Sequence, residues 1–165
     1  MTLLGFAPQS DPRAFRNALG RFATGVTVIT TQGPDGPVGF TANSFAALSL
    51  DPPLVLWSPA RASSRFAVFS TAQAFSIHVL AADQVALGAR FVRGGAGFDG
   101  LEHDVNSEGA PVLPDTLARF DCRLHATHDG GDHLIVVGRV DHAMYREGEP
   151  LVFSMGGYGA FAPHA

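Results

Sequence analysis

Clusters of glycine and proline cut this chain into short β-prone runs, and that spacing restricts it to a turn-rich, mainly β architecture. Every residue from Val26 to Thr31 is β-branched. The turn cluster Gly33-Pro34-Asp35-Gly36-Pro37 follows at once, and Val38 to Thr41 leads out of it as the partner strand. Ser44 to Leu50 reads as a strand closed by Asp51-Pro52-Pro53, and Leu54 to Ser58 as a short apolar one. Ala74 to Leu80 is another. Leu117 to Thr127 and His133 to Met144 flank Asp129-Gly130-Gly131 and read as a hairpin. Leu151 to Met155 is the last strand before a glycine-rich ending. The 165 residues hold 19 glycines and 11 prolines, where average usage of about 12% would give about 20. A helical bundle tolerates such breakers poorly.

Helices are few. Asp11-Pro12 has the form of a helix start, with Asp as N-cap and Pro at the first helical position. Phe15, Leu19 and Phe22 then share one face, and Gly25 ends the helix. Ser63 to Thr71 is a short helix that Ser63 or Ser64 can cap, with Phe66 and Phe69 turned inward. Asp83 to Val92 is a second amphipathic helix with Asp83 as N-cap. Residues 94–116 form a long, partly ordered loop of functional or mobile character. Strand–helix–strand repeats are too few for a doubly wound parallel sheet. The expectation is a single domain over 1–165, an antiparallel barrel with two or three peripheral helices.

Composition removes whole classes of function. All eleven basic residues are arginine. Without lysine, neither a Schiff-base mechanism nor the usual phosphate-binding P-loop is available. A net charge of −4 argues against a nucleic-acid binder. No apolar run approaches membrane-spanning length. The single cysteine cannot pair internally, and the N-terminus does not look like a signal; the expected compartment is the cytoplasm.

The stretch Gly39-Phe40-Thr41-Ala42-Asn43-Ser44-Phe45 places small and hydroxylated residues between two strands, where main-chain amides can approach a polar ligand. Taken alone it reads first as an ordinary turn with Asn43 in a left-handed conformation. Ser63-Ser64-Arg65 at a helix start suits an anion, or is a plain cap with a solvated arginine. Arg90 is placed to favour a helix C-terminus or to reach a phosphate. His125, His128, Asp129, Asp132 and His133 crowd one hairpin without a zinc spacing, so no metal is expected. His133, next to the Gly-Gly-Asp turn, is the best placed of them to face a ligand. Cys122 alternates with Phe120 and Leu124, which points to a buried, inert thiol. No dinucleotide-binding glycine motif joins a strand to a helix.

Taken in order, these segments resemble the flavin reductase family with the FMN-binding split barrel. The pieces that carry the resemblance are Phe22 to Thr30, Gly39 to Phe45, Ser49 to Val55, Ser64, Arg90-Phe91 and Pro111-Val112-Leu113. Gly131-Asp132-His133 with Gly138-Arg139-Val140, Pro150 to Phe153 and Gly157-Tyr158 complete the set. Together they run over almost the whole chain. His78 departs from the pattern, standing where many members have Asn.

The resemblance implies a homodimer of split barrels with FMN (or FAD) near the subunit interface and NADH or NADPH as hydride donor. Thr41, Ala42, Asn43 and Ser44 would line the isoalloxazine and ribityl chain, with Ser49 and Leu50 along the ring edge. Ser58, Ser64 and Arg65 would run toward the phosphate, and Arg90 and Phe91 would close that side. His133 would help place the nicotinamide, and Tyr158 would line the site. The implied activity is hydride transfer from nicotinamide C4 to flavin N5, supplying reduced flavin to a monooxygenase. Reduction of another acceptor, such as a corrinoid or metal chelate, and a non-catalytic flavin- or haem-binding barrel stay open beside it.

Overall fold

The structure is a computed structural model that describes residues 3–94 and 97–163. Its elements in chain order are α1 (Pro12–Leu19), β1 (Thr24–Gly25), β2 (Thr27–Gly33), β3 (Gly36–Ala42), β4 (Ala46–Leu50) and β5 (Pro53–Trp57). After them come α2 (Phe66–Thr71), β6 (Ala74–Val79), α3 (Val85–Arg90), β7 (Asp104–Val105) and β8 (Pro111–Val112). The chain finishes with β9 (Ala118–Gly130), β10 (His133–Tyr145), β11 (Leu151–Ser154) and β12 (Gly157–Ala160). Seven strands form one sheet in the order β3-β2-β6-β9-β10-β5-β4, every pairing antiparallel.

The two edge strands of that sheet are consecutive in the chain. Only residues 43–45 separate β3 from β4. A flat sheet would hold its first and seventh strands about 29 Å apart. The connection from Ala42 to Ala46 reaches at most about 14 Å. The sheet must therefore curl until its edges come close, and the result is the antiparallel barrel expected from the turn spacing, in the split form that the resemblance implies. Ser44 fixes this seam, the corner where β3 passes into β4, by carrying the β4–β5 register past Ala46 and Leu56: its Oγ accepts from the N–H of Ser58 at 3.0 Å and donates to the Ser58 carbonyl at 3.2 Å.

Inside the curl Trp57 is fully buried, with Phe40 and Phe69 edge-on at 5.6 and 5.2 Å between ring centres. Ile29, Val55, Phe75, Ile77, Cys122 and Val136 complete this core. A second cluster, with Val26, Val28, Leu80, Phe91, Leu113 and Leu151, lies where the small sheet β1-β11-β12 and the segment after α3 meet β2.

Several local expectations need correction. Asp11 caps α1 through its side chain on the Ala14 N–H at 2.8 Å, as expected. The helix stops at Leu19, however, and Thr24-Gly25 pairs with β11, so Phe22 lies beyond it. No residue of α1 is buried. Helix α2 begins after Arg65, and the Ser63 hydroxyl accepts only from the Arg65 N–H at 3.3 Å instead of capping the helix. Gln84, not Asp83, precedes α3; its side chain bridges the Ala81 N–H and the Asp115 carbonyl.

The expected loop over 94–116, of which 95 and 96 lie outside the described residues, holds a short hairpin of β7 and β8. Thr30 Oγ1 donates to the Pro111 carbonyl at 2.5 Å, and Ala110 to Leu113 are buried. The glycine-rich ending also contains a strand, β12, paired with β11 across a two-residue turn at Met155-Gly156. Both turn residues have positive φ, the twist that suits a two-residue hairpin.

Candidate active site

The end of β3 reaches an open cleft of about 160 Å³ lined by Val26, Thr41, Ala42, Asn43, Val92, Phe153 and Tyr158. Four expected ligand residues thus come together: Thr41, Ala42 and Asn43 on one wall, Tyr158 on the other. Tyr158 stands opposite Phe153 in the β11–β12 ladder, and their rings are 5.5 Å apart. Asn43 does not have a left-handed backbone; among the described non-glycine residues only Asp115 and Met155 do. Thr41 turns its hydroxyl away from the cleft, donating to the Gly88 carbonyl at 2.6 Å, while its N–H donates to the Phe91 carbonyl at 3.0 Å. What it offers a ligand is chiefly shape.

Arg65 sits differently from the phosphate-facing role that the resemblance implies. Its Nη1 donates to the carbonyls of Gly39 at 2.8 Å and Phe91 at 2.6 Å, and its Nη2 to that of Val92 at 3.0 Å. The guanidinium lies 4.4 Å from the centre of the Phe40 ring, within cation–π range. Burial lowers its pKa from the ordinary value. Arg65 thus ties β3 to the segment after α3, and so sets the two sides from which Thr41–Asn43 and Val92 reach the cleft. Phe91 is buried, its ring against Gly39 and Gly97. Arg90 donates to the carbonyls of Gly97 and Asp99, which pins the next turn. Ser64 is exposed and packs beside Gly94.

Ser58 follows β5 at the seam, joined to Ser44. Ser49 and Leu50 lie at the far end of β4 from that seam, and Leu50 is 97% exposed. Neither lines the cleft. His133 opens β10 at the tip of the β9–β10 hairpin, half-exposed, and its Nδ1 donates to Asp132 Oδ1 at 2.7 Å. That bond holds the Asp132 carboxyl below the usual carboxylate range. It also leaves Nε2 of His133 facing outward from the pair. Cys122 is buried, and burial pushes its thiol up to about 12, as the alternation of its strand implied.

Val26, Val92 and Phe153 belong to the cleft without having been picked out from the sequence. Phe153 was accessible to alternation, two residues from buried Leu151 on one face of β11. Thr24 pairs with Phe153 and carries a buried Oγ1 with no hydrogen-bond partner among the described residues. Buried hydroxyls rarely go unpaired, so the neighbourhood of the cleft retains unused hydrogen-bonding capacity. Pockets that enclose a whole ligand measure about 300–1,000 Å³. This cleft is therefore a seat for one part of a ligand. Its largely apolar walls, with Asn43 and Tyr158 as polar groups, fit the edge of a planar, partly polar ring such as an isoalloxazine.

The chain as a whole is similar to known flavin reductases. The FMN reductase (NADH) SmoA of Agrobacterium fabrum is 61% identical over 158 residues, covering 95% of this chain and 91% of that protein. The reductase subunit HsaB of a flavin-dependent monooxygenase from Rhodococcus jostii is 45% identical, covering 93% and 80%. The solved structure of the Streptomyces globisporus C-1027 NADH:FAD oxidoreductase SgcE6, in complex with NAD and FAD fragments, matches with a TM-score of 0.91 at 34% identity and covers 99% of both chains. The model of the flavin reductase like domain matches residues 19–162, and the chain belongs to that family.

Proposed function

We propose that this protein is an NAD(P)H:flavin oxidoreductase that supplies reduced flavin to a partner monooxygenase. The observation that carries the proposal is the convergence of Thr41, Ala42 and Asn43 with Tyr158 on one cleft. Bound flavin, FMN or FAD, supplies N5 as acceptor for the hydride of nicotinamide C4. The chain's own work is alignment. Val26, Val92, Phe153 and Tyr158 would hold the ring by its apolar surface, and the main chain at Ala42–Asn43 would meet its polar edge. The hydroxyls of Ser58 and Ser64 lie on the segment that would follow the ribityl phosphate. His133, steadied by Asp132, would place the nicotinamide. Hydride transfer between two stacked rings needs no protein nucleophile, in keeping with a site of amides, hydroxyls and apolar walls.

The protein acts as a homodimer in this reading. Support comes from the apolar face of α1, where Phe15 is 42% and Leu19 58% exposed, and from Leu50 on edge strand β4. Such surface is costly to leave in water. We place the enzyme in the cytoplasm, and the described residues contain no helix long and apolar enough to cross a membrane.

The test is NADH loss at 340 nm with purified protein, with and without added FMN. Consumption that saturates with FMN supports a reductase that uses flavin as substrate. Consumption by a yellow protein without added flavin supports a resident flavin and redirects the search to another acceptor. No consumption with NADH or NADPH and either flavin would leave only a binding module.

A further inference from the structure

The tip of the β9–β10 hairpin, which carries His133, is held from outside the hairpin. Segment 59–61 runs beside it like an added strand: the Leu134 N–H donates to the Pro59 carbonyl at 3.1 Å, and Ala60 bridges His133. Arg61 then makes three bonds to the turn itself. Its N–H donates to the Asp132 carbonyl at 2.9 Å, its Nε to the Gly131 carbonyl at 3.0 Å, and its Nη2 to Asp129 Oδ1 at 2.7 Å. The guanidinium plane is thus fixed at two points on the turn, and its carbon lies 5.6 Å from the Phe66 ring centre at the start of α2. One arginine spans all of the turn that precedes His133.

We propose that Arg61 is a positioning residue for His133 and through it for the nicotinamide, an inference that rests on the nicotinamide role given to His133 above. Gly131 takes a positive φ that glycine adopts without strain and has no neighbour packed against it, so side-chain packing does not fix the turn. Asp132 reaches His133 only if the turn keeps its shape. The Arg61 side chain supplies that shape by holding the Gly131 carbonyl and the Asp129 carboxylate, beside a main-chain bond to the Asp132 carbonyl that any residue here would keep. The same segment holds Ser58 at the barrel seam and Arg65 under β3. Residues 58–65 therefore form one frame that sets the histidine and the cleft relative to each other.

Arg61→Gln, Arg61→Lys, His133→Ala and the double variant Arg61→Gln/His133→Ala test this. Arg61→Gln should raise the KM for NADH about five- to tenfold with little change in kcat or in flavin affinity, the loss expected for one or two charge-assisted bonds. Titration of the flavin-free protein with NADH should show the same loss. Amide exchange at Leu134 should quicken. Arg61→Lys, which reaches one acceptor but not two in a plane, should fall between Gln and wild type. In the double variant the NADH effect should equal that of His133→Ala alone, because Arg61 acts through that residue.

Additive effects, or an unchanged KM in Arg61→Gln beside a raised one in His133→Ala, would overturn the proposal and leave the nicotinamide role of His133 standing. An unchanged KM in His133→Ala would overturn both. A parallel loss of flavin affinity and kcat in Arg61→Gln would mark a general structural role and also overturn it.

Discussion

The Nη1 of Arg65 donates to the Phe91 carbonyl at 2.6 Å, and the Thr41 N–H donates to that same oxygen at 3.0 Å. One carbonyl thus joins a loop arginine to the strand that lines the cleft. Arg65→Met should weaken flavin binding about tenfold or more, because two or three charge-assisted bonds to carbonyls are lost and the strand loses its fixed position. The ratio of wild-type to variant affinity should be the same at low and high salt. Removing an arginine that touches phosphate directly would instead give a ratio that shrinks as salt rises. Flavin fluorescence titration at two ionic strengths separates the two, and a salt-dependent ratio would return Arg65 to the phosphate.

Gly39 faces the Phe91 ring so closely that a Cβ there would stand 2.2 Å from its Cδ1. The ring is buried and packs edge-on to Phe98 at 5.0 Å, so it has little room to turn. Gly39→Ala should therefore cost about 1–3 kcal/mol or more, lowering Tm by several degrees. Because Phe91 would move with its carbonyl, flavin affinity should fall as well. A melting curve that matches wild type would mean that the ring finds another seat.

Much of the fold was legible because its signals are local. Asp11-Pro12 capped a helix and Gly33 to Pro37 turned a hairpin by chemistry contained within a few residues. The exceptions are a strand of weak sequence and segments whose partners lie far along the chain. β12 has the weak strand sequence Gly157-Tyr158-Gly159-Ala160 and exists because the Met155-Gly156 turn brings it back onto β11. The stretch from 104 to 113 looks like a loop until Thr30 and His78 hold it from β2 and β6. The site divides the same way. Thr41 to Asn43 were recognisable by residue type and Tyr158 only through the resemblance; the fold brings them to one cleft. Arg65 was recognisable as an arginine at a helix start. Only the fold shows that its partners are carbonyls of Gly39, Phe91 and Val92, 26 and 27 residues away.

His78 is fully buried, with its Nδ1–H on the Val28 carbonyl at 3.0 Å and its Nε2 accepting from the Leu113 N–H at 3.0 Å. Those partners fix the neutral tautomer, and burial pushes the pKa down to about 4. In the unfolded chain an imidazole titrates near about 6.5. Between those two values the unfolded state binds more protons, so stability is complete above about pH 6.5 and is lost as pH falls toward 4. The loss should reach roughly 3 kcal/mol. Urea unfolding of wild type and His78→Asn across this range tests it. The variant should start less stable and show a flatter acid slope. Equal slopes would assign the acid sensitivity to other groups.

The Ser44–Ser58 pair carries the β4–β5 register two residues past Ala46 and Leu56, at the corner where β3 passes into β4. Ser44→Ala removes the acceptor of the Ser58 N–H and the donor to its carbonyl, both part-buried. The cost should be about 1 kcal/mol, the low end of the penalty for an unsatisfied N–H, because the pair is only part-buried. Ser44→Thr keeps the hydroxyl and should restore most of it. The same change also reports on the site, because residues 43–45 run directly from the cleft into the seam. If Asn43 depends on that anchor, Ser44→Ala should weaken flavin binding by a few-fold and Ser44→Thr should not. If Ser44 instead touches the ribityl chain itself, binding should fall about tenfold with little change in Tm. Thermal melting and flavin titration on the two variants together decide whether Ser44 serves the barrel or the ligand.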